Sequence, residues 1–177
     1  VIAINPTCAM MMRREYQELL EGEDRERAKK LSEAINDPSE FLWNIRNEDR
    51  FYKATHNIQT EDISYHAPCH LRAQGIGFKG RDLIKKVIGS KIKTVMECCG
   101  HDGTFAMKVE SFDASKRIGQ KAFDGMKNGE SEVWVTDCPL AALQFKQHAG
   151  VKPKHPMSIL AEAYRSVDTE NHKIINN

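Results

Sequence analysis

The stretch EVWVTDCPLAALQFKQHAG, residues 132–150, decides the fold. Its first part, EVWVTDC, is rich in β-branched and aromatic residues, the composition of a buried strand. Pro139 follows the cysteine, where the first turn of a helix tolerates proline, and Gly150 stops the helical part. One strand runs into one helix, with Cys138 at the junction. Moving outward, the same grammar repeats. KTVMEC is a strand with Cys98 and Cys99 at its end, and ISYHA is a strand ended by Pro68, with Cys69 just beyond. Helical spacing covers residues 80–87 and 114–128, the second with Ile118, Ala122, Phe123 and Met126 on one face. HPMSILAEAYR reads as a closing helix opened by proline, and the residues from Ser166 as a loose polar tail. Strands alternating with helices predict an α/β domain, a mostly parallel sheet with flanking helices.

The amino-terminal part follows a related pattern. VIAIN reads as a strand, and apolar residues from Met10 to Leu20 fall at helical spacing. A charged helix is predicted over residues 23–35, and another begins with Asp37 as N-cap and Pro38 at its first position. Residues 47–61 are polar and read as a connection. VIAINPTCAMM and EVWVTDCPLAA share an order of apolar strand, small polar pair, cysteine and helix, a faint internal repeat. A chain that opens on a core strand without an initiator methionine is expected to be a piece of something longer.

Charge and length exclude several classes. The 177 residues carry a net charge of +1, which favours neither nucleic acid nor an anionic membrane. No apolar run approaches the roughly 20 residues that span a bilayer. The first residues lack a basic region and a small-residue cleavage site, so no signal peptide is expected. Five cysteines, an odd number without an export signal, argue against a secreted disulfide framework and for a reducing, cytoplasmic setting. There a cysteine cluster points to metal or redox chemistry.

Cys69, Cys98, Cys99 and Cys138 each fall just past a predicted strand, and so does Cys8. In parallel sheets functional groups gather beyond the carboxyl ends of strands. Spacings of 28 residues between Cys69 and Cys98 and of 38 between Cys99 and Cys138 allow convergence from three strand ends. Four thiolates suit a [4Fe–4S] cluster. They also suit zinc, although zinc sites favour Cys-x-x-Cys pairs, which this chain lacks. Helices beginning at Cys99 and Cys138 would aim N–H groups at the sulfurs, and Gly100 and Gly103 would admit close backbone approach. His66, His70 and His101 flank the cysteines and suit hydrogen bonding to sulfur or proton relay better than ligation. Asp102 and Asp137 read as helix caps, Lys108 as a solvated charge or an offset to cluster charge, and Met10, Met11 and Met12 as helix packing. GIGFKG, residues 75–80, lacks the context of a dinucleotide fingerprint and reads as a loop.

YHAPCHL, ECCGHDGTFAMK and VTDCPLA, in that order, resemble the successive boxes of the cysteine-rich CCG domain. That family occurs in heterodisulfide reductase and in the iron–sulfur subunits of anaerobic glycerol-3-phosphate dehydrogenase, glycolate oxidase and lactate utilisation. The resemblance implies a pseudo-duplicated module. Residues 1–62 would hold the end of a first CCG-like half plus a helical connection, 63–165 a complete second CCG domain, and 166–177 the tail. It implies Cys69, Cys98, Cys99 and Cys138 as cluster ligands, with His66, His70, Gly100 and His101 around them, and assigns Cys8 to the other half. The family's Cys-x-x-Cys ending is interrupted here, with Ala141 at the last position, so the five-thiolate noncubane cluster is not expected. The function implied is an iron–sulfur electron-transfer module of a multi-subunit oxidoreductase. It would accept electrons from a flavin dehydrogenase partner and pass them toward an acceptor such as quinone, at most peripheral to a membrane through its partners. The alternatives are cluster-based cleavage of a disulfide and a non-catalytic, zinc-stabilised interaction domain.

Overall fold

The computed structural model describes residues 1–48 and 62–175. The predicted connection lies largely outside them. Three strands form one parallel sheet: β1 (Ile63–His66) in the middle, β2 (Ile92–Val95) on one side and β3 (Val133–Thr136) on the other. The register puts His66 opposite Val95 across one edge and opposite Thr136 across the other. All four β1 residues are buried, as a central strand covered on both faces requires.

Side chains alternate along the strands and divide the core into two. Ile63, Tyr65 and Val135 pack with Leu83, Ile84 and Val87 of α6 (Lys79–Ile88) and with Ile159, Leu160 and Ala163 of α9 (Pro156–Ile175). On the opposite face, Val95 and Trp134 meet Ala122, Phe123 and Met126 of α7 (Val109–Lys127) and Phe145 of α8 (Pro139–Ala149). Phe145 is fully buried, with Phe123 and Trp134 both edge-on to it at centroid distances of 5.6 and 5.8 Å. Gly150, at φ 80°, ends α8 in the left-handed turn that glycine adopts without strain.

The amino-terminal segment wraps one end of this sandwich. A helical run holds α1 (Pro6–Met10), a π-helical stretch at Met11–Glu15 and α2 (Tyr16–Leu19). After α3 (Gly22–Ala34) comes α4 (Pro38–Asn44), whose Asp37 accepts from the Ser39 and Glu40 amides while Glu40 reaches back to the Asp37 amide. This is the capping box, and it accounts for a helix of only two turns holding its place.

Three expectations are corrected. VIAIN is not a strand: it makes one isolated bridge, Ile2 to Asn36, and Ile2 and Ile4 are exposed, because no strand among the described residues lies alongside it. No helix begins at Cys99; a turn follows the cysteine pair, and a short 3₁₀ segment comes at Phe105–Met107. From Ser166 the backbone is helical where a tail without secondary structure is expected, since α9 continues to Ile175.

A buried polar cluster ties the two parts together. Tyr65 donates its hydroxyl hydrogen to Asp137, and Ser39 of α4 donates to the same carboxyl group at 3.4 Å. Burial raises Asp137 from 3.8 to about 7 and raises Asp37 as well. Burial lowers His66 on the opposite face to about 4. A carboxyl group whose folded-state pKa is raised stabilises the fold below its unfolded value, and loses that contribution as pH climbs to the folded value. The Asp137 contribution therefore declines from pH 3.8 to about 7. The His66 contribution runs the other way, present above 6.5 and lost as pH falls toward 4. Urea midpoints should accordingly show the Asp137→Asn variant gaining on the native chain as pH rises from about 4 to about 7. A difference independent of pH would contradict the burial of an ionisable group at this position.

Candidate functional site

Because β1, β2 and β3 are parallel and in register, their carboxyl ends open on one side of the sheet. Cys69 lies three residues beyond His66 and starts α5 (Cys69–Ala73). Cys98 lies three residues beyond Val95, the registered partner of His66, and Cys99 follows it. Cys138 lies two residues beyond Thr136 and caps α8, its sulfur accepting the Ala141 amide at 3.5 Å. The four cysteines line one cavity of about 300 Å³. His66, His70, Gly100 and His101 line it too, with an apolar lip of Phe105, Ile118 and Leu140.

The sulfurs sit in graded surroundings. Cys69 is exposed, Cys98 half-buried, and Cys99 and Cys138 are buried. Cys69 Sγ and Cys98 Sγ lie 4.0 Å apart and share a hydrogen bond that draws Cys69 down to about 6 and pushes Cys98 up. The Gly100 amide donates to Cys98 Sγ at 3.3 Å. Burial pushes Cys99 up to about 12 and raises Cys138, with the neighbouring Asp137 and Cys8 adding to the latter. Buried thiols of this kind are protonated when metal-free, so a metal centre here would form with release of protons. Among the described residues, no three His, Cys, Asp or Glu side chains are close enough to hold a single metal ion.

The histidines differ in their ties. His66 spans two strands, with Nδ1 3.0 Å from Thr136 Oγ1 and Nε2 3.0 Å from the Glu97 carbonyl oxygen. His70 Nδ1 lies 2.7 Å from Thr7 Oγ1, and Thr7 is itself part of the cavity wall. His101 is buried, and its Nδ1 has no hydrogen-bond partner among the described residues. Cys8 is exposed and stands outside the lining. Asp137 is a buried hydrogen-bond acceptor and the helix cap is Cys138, while Asp102 takes a positive φ of 37° in the turn after the cysteines.

The close backbone approach expected at Gly100 is present: its φ is 79°, and a Cβ on it would lie 2.1 Å from the Ser115 carbonyl oxygen. The residues it approaches were not singled out from sequence. Ser115 Oγ donates to the Gly100 carbonyl at 2.7 Å and accepts from Gln144 Nε2 at 2.8 Å. A Cβ on Gly119 would lie 2.6 Å from the Cys99 carbonyl oxygen. The cysteine turn is thus pressed onto α7 by two glycines and pinned to α7 and α8 by one serine. Glycine in a helix and a buried serine carry no local sequence signal of this role. Thr7 could have been found through the repeat, since it precedes Cys8 as Asp137 precedes Cys138.

The family model of the cysteine-rich domain, CCG, matches residues 63–146. A subunit of the anaerobic glycerol-3-phosphate dehydrogenase of Escherichia coli (strain K12) is 27% identical over 164 residues, covering 92% of this chain and 40% of that protein. Lactate utilization protein A 2 of Bacillus cereus (strain Q1) is 29% identical over 117 residues, 63% of this chain and 47% of the relative. The chain thus spans less than half the length of these relatives. Among the described residues, no helix is long and apolar enough to cross a membrane.

Gly100→Ala should destabilise the chain by on the order of 3 kcal/mol, from the clash with Ser115 and the left-handed backbone together. Ser115→Ala, which leaves two buried polar groups unpaired, should cost about 1–3 kcal/mol. Urea denaturation measures both, and a Gly100→Ala chain as stable as the native one would show that the turn is not pressed onto α7.

Proposed function

We propose, for a chain whose residues 63–146 match the family model of the cysteine-rich domain, that the pocket holds an iron–sulfur cluster and that the domain transfers electrons within a larger oxidoreductase. The observation that carries this reading is the gathering of Cys69, Cys98, Cys99 and Cys138, from the ends of three parallel strands, around one cavity. The donor set fits. Four thiols line one cavity, the number that a [4Fe–4S] core takes, with one thiolate to each iron. The names of the relatives, one a dehydrogenase subunit and one a lactate utilization protein, agree with a redox role.

Each residue has a task in this reading. The four cysteines supply thiolates. The Gly100 and Ala141 amides, already directed at Cys98 and Cys138, stabilise negative charge on sulfur. Phe105, Ile118 and Leu140 exclude water on one side and leave Cys69 at the exposed rim. His70, positioned through Thr7, and His101, with its orphaned Nδ1, are the groups placed to hold or pass a proton. When bound, the cluster supplies a one-electron redox centre. Ala141 is buried at the position where a fifth cysteine would stand, three residues along α8 from Cys138. Four thiolates favour a [4Fe–4S] cubane over a five-thiolate core. The electron source is assigned to a flavin dehydrogenase subunit and the acceptor to a quinone-class carrier, in a cytoplasmic setting. The second half of a duplicated module, ending near residue 165, is the matching domain assignment.

Anaerobic reconstitution with iron and sulfide, followed by metal analysis and electron paramagnetic resonance, tests the reading. Bound iron should fall to background in Cys138→Ser and stay at the native level in Cys8→Ser. Ala141→Cys should alter the paramagnetic spectrum of the reduced protein. Zinc retained in preference to iron under these conditions would overturn the cluster assignment.

A further inference from the structure

The Cys69–Cys98 contact is the closest approach between cysteine sulfurs among the hydrogen-bonded pairs of the described residues, at 4.0 Å. Its origin is the sheet. The two residues stand at the same offset, three positions, beyond the registered pair His66 and Val95 of adjacent parallel strands. The Ala67 amide still bonds to the Val95 carbonyl at 2.9 Å, so the pairing extends toward the cysteines. A disulfide bond is about 2.05 Å long, so each sulfur must move by only about 1 Å. Cys69 is exposed and Cys98 half-buried, so a small thiol reagent can reach the pair. The other pairings are disfavoured. Cys99 and Cys138 are packed into the core with Phe123 and Phe145. A bond between the adjacent Cys98 and Cys99 closes a small ring that strains the peptide unit.

We propose that Cys69 and Cys98 form a reversible dithiol–disulfide couple in the metal-free chain, a modification site for low-molecular-weight disulfides of the glutathione class. The Cys69 thiolate attacks one sulfur of the disulfide reagent, forming a mixed disulfide and releasing one thiolate of the reagent. Cys98, after giving up its proton, attacks Cys69 Sγ, forms the intramolecular bond and expels the second thiolate. Two cysteine thiols are oxidised and one reagent disulfide is reduced to two thiols, so electrons and protons balance. Excess reduced thiol reverses the sequence. The bond needs no metal. Its consequence rests on the cluster reading: with two of four thiolates tied up, the pocket refuses iron until the couple is reduced.

The test incubates the full, chelator-treated chain with oxidised glutathione under anaerobic conditions and maps its thiols by mass spectrometry. The expected product has lost two hydrogens at Cys69 and Cys98, carries no glutathione on either, and joins tryptic peptides 54–72 and 94–108. The second peptide contains both Cys98 and Cys99, so variants assign the bond. Cys99→Ser should keep the cross-link, and Cys98→Ser and Cys69→Ser should each lose it. A link inside peptide 94–108, a cross-link that survives Cys98→Ser, glutathione retained on Cys69 or Cys98 of the native chain, or five free thiols would each overturn the proposal. The oxidised chain should bind iron only at background level in reconstitution and regain its full complement after dithiothreitol. Unimpaired loading of the oxidised chain would overturn the gating role. A chain that forms the bond, and binds no iron even when reduced, would overturn the cluster reading while the couple stands.

Discussion

The parallel register of β1 between β2 and β3 is the constraint on which the site depends. One residue, His66, is paired on both sides, with Val95 and with Thr136. Residues at nearly equal distances beyond these three therefore arrive at one level of the sheet. Cys69, Cys98, Cys99 and Cys138 are two to four residues beyond it, which is why cysteines far apart in sequence line one cavity. A slip of one residue in either pairing would turn the strand over and send its cysteine to the wrong face. The register is in turn fixed by burial. Tyr65 and Val135 point into one core and His66 and Trp134 into the other, and the two cores differ in polarity and shape. His66 also bonds to Thr136 and to the Glu97 carbonyl, which joins all three strand ends with one imidazole.

Beneath the cavity the polar groups are arranged to be costly alone and tolerable together. Asp137 is fully buried next to Cys138, and it is accommodated by Tyr65 from the sheet and Ser39 from α4. Gly80 lets α6 approach, since a Cβ there would lie 2.7 Å from Asp137 Oδ1 and equally close to Pro156. The cluster thus fixes the start of α8, and so the position of Cys138, against α4, α6 and α9. Packing and site geometry are one problem here: the same carboxyl group that is hard to bury sets where a thiol stands.

The alternating pattern makes the sheet readable. ISYHA, KTVMEC and EVWVTDC are legible as strands because each is short, β-branched and bounded by proline, cysteine or polar residues, and all three occur at those places. Asp37 and Pro38 are legible because capping chemistry is local. The differences are matters of partnership. VIAIN has strand composition but only Asn36 to bridge with, and strand formation is decided by the partner as well as by the residues. The segment after Cys99 carries a glycine and an aspartate, residues that also flank helix starts; Gly100 at φ 79° and Asp102 at φ 37° instead turn the chain away from helical geometry. The four cysteines around the cavity are legible from their shared place at strand ends. The clamp of Ser115 and Gln144 is not, since it rests on a contact between helical residues 29 apart in sequence.

The amino-terminal segment completes the cavity from outside the family match. Pro6 offers its carbonyl oxygen to Gln74 Nε2 at 3.1 Å, so α1 is anchored to the end of α5. One residue further on, Thr7 meets His70 and enters the cavity wall. Asn5 caps α1 through the Thr7 amide, which holds that threonine in place. The side of the cavity near Cys69 is therefore built by residues on both sides of the 49–61 interval, and residues 63–146 alone would leave His70 without its hydroxyl partner. Cys8, one residue beyond Thr7, is turned outward and exposed. The repeat that relates Cys8 to Cys138 thus gives the two cysteines different surroundings: Cys138 is buried at the head of a helix against its own strand end, while the turn bearing Cys8 supplies this cavity with a hydroxyl group and leaves its thiol outside.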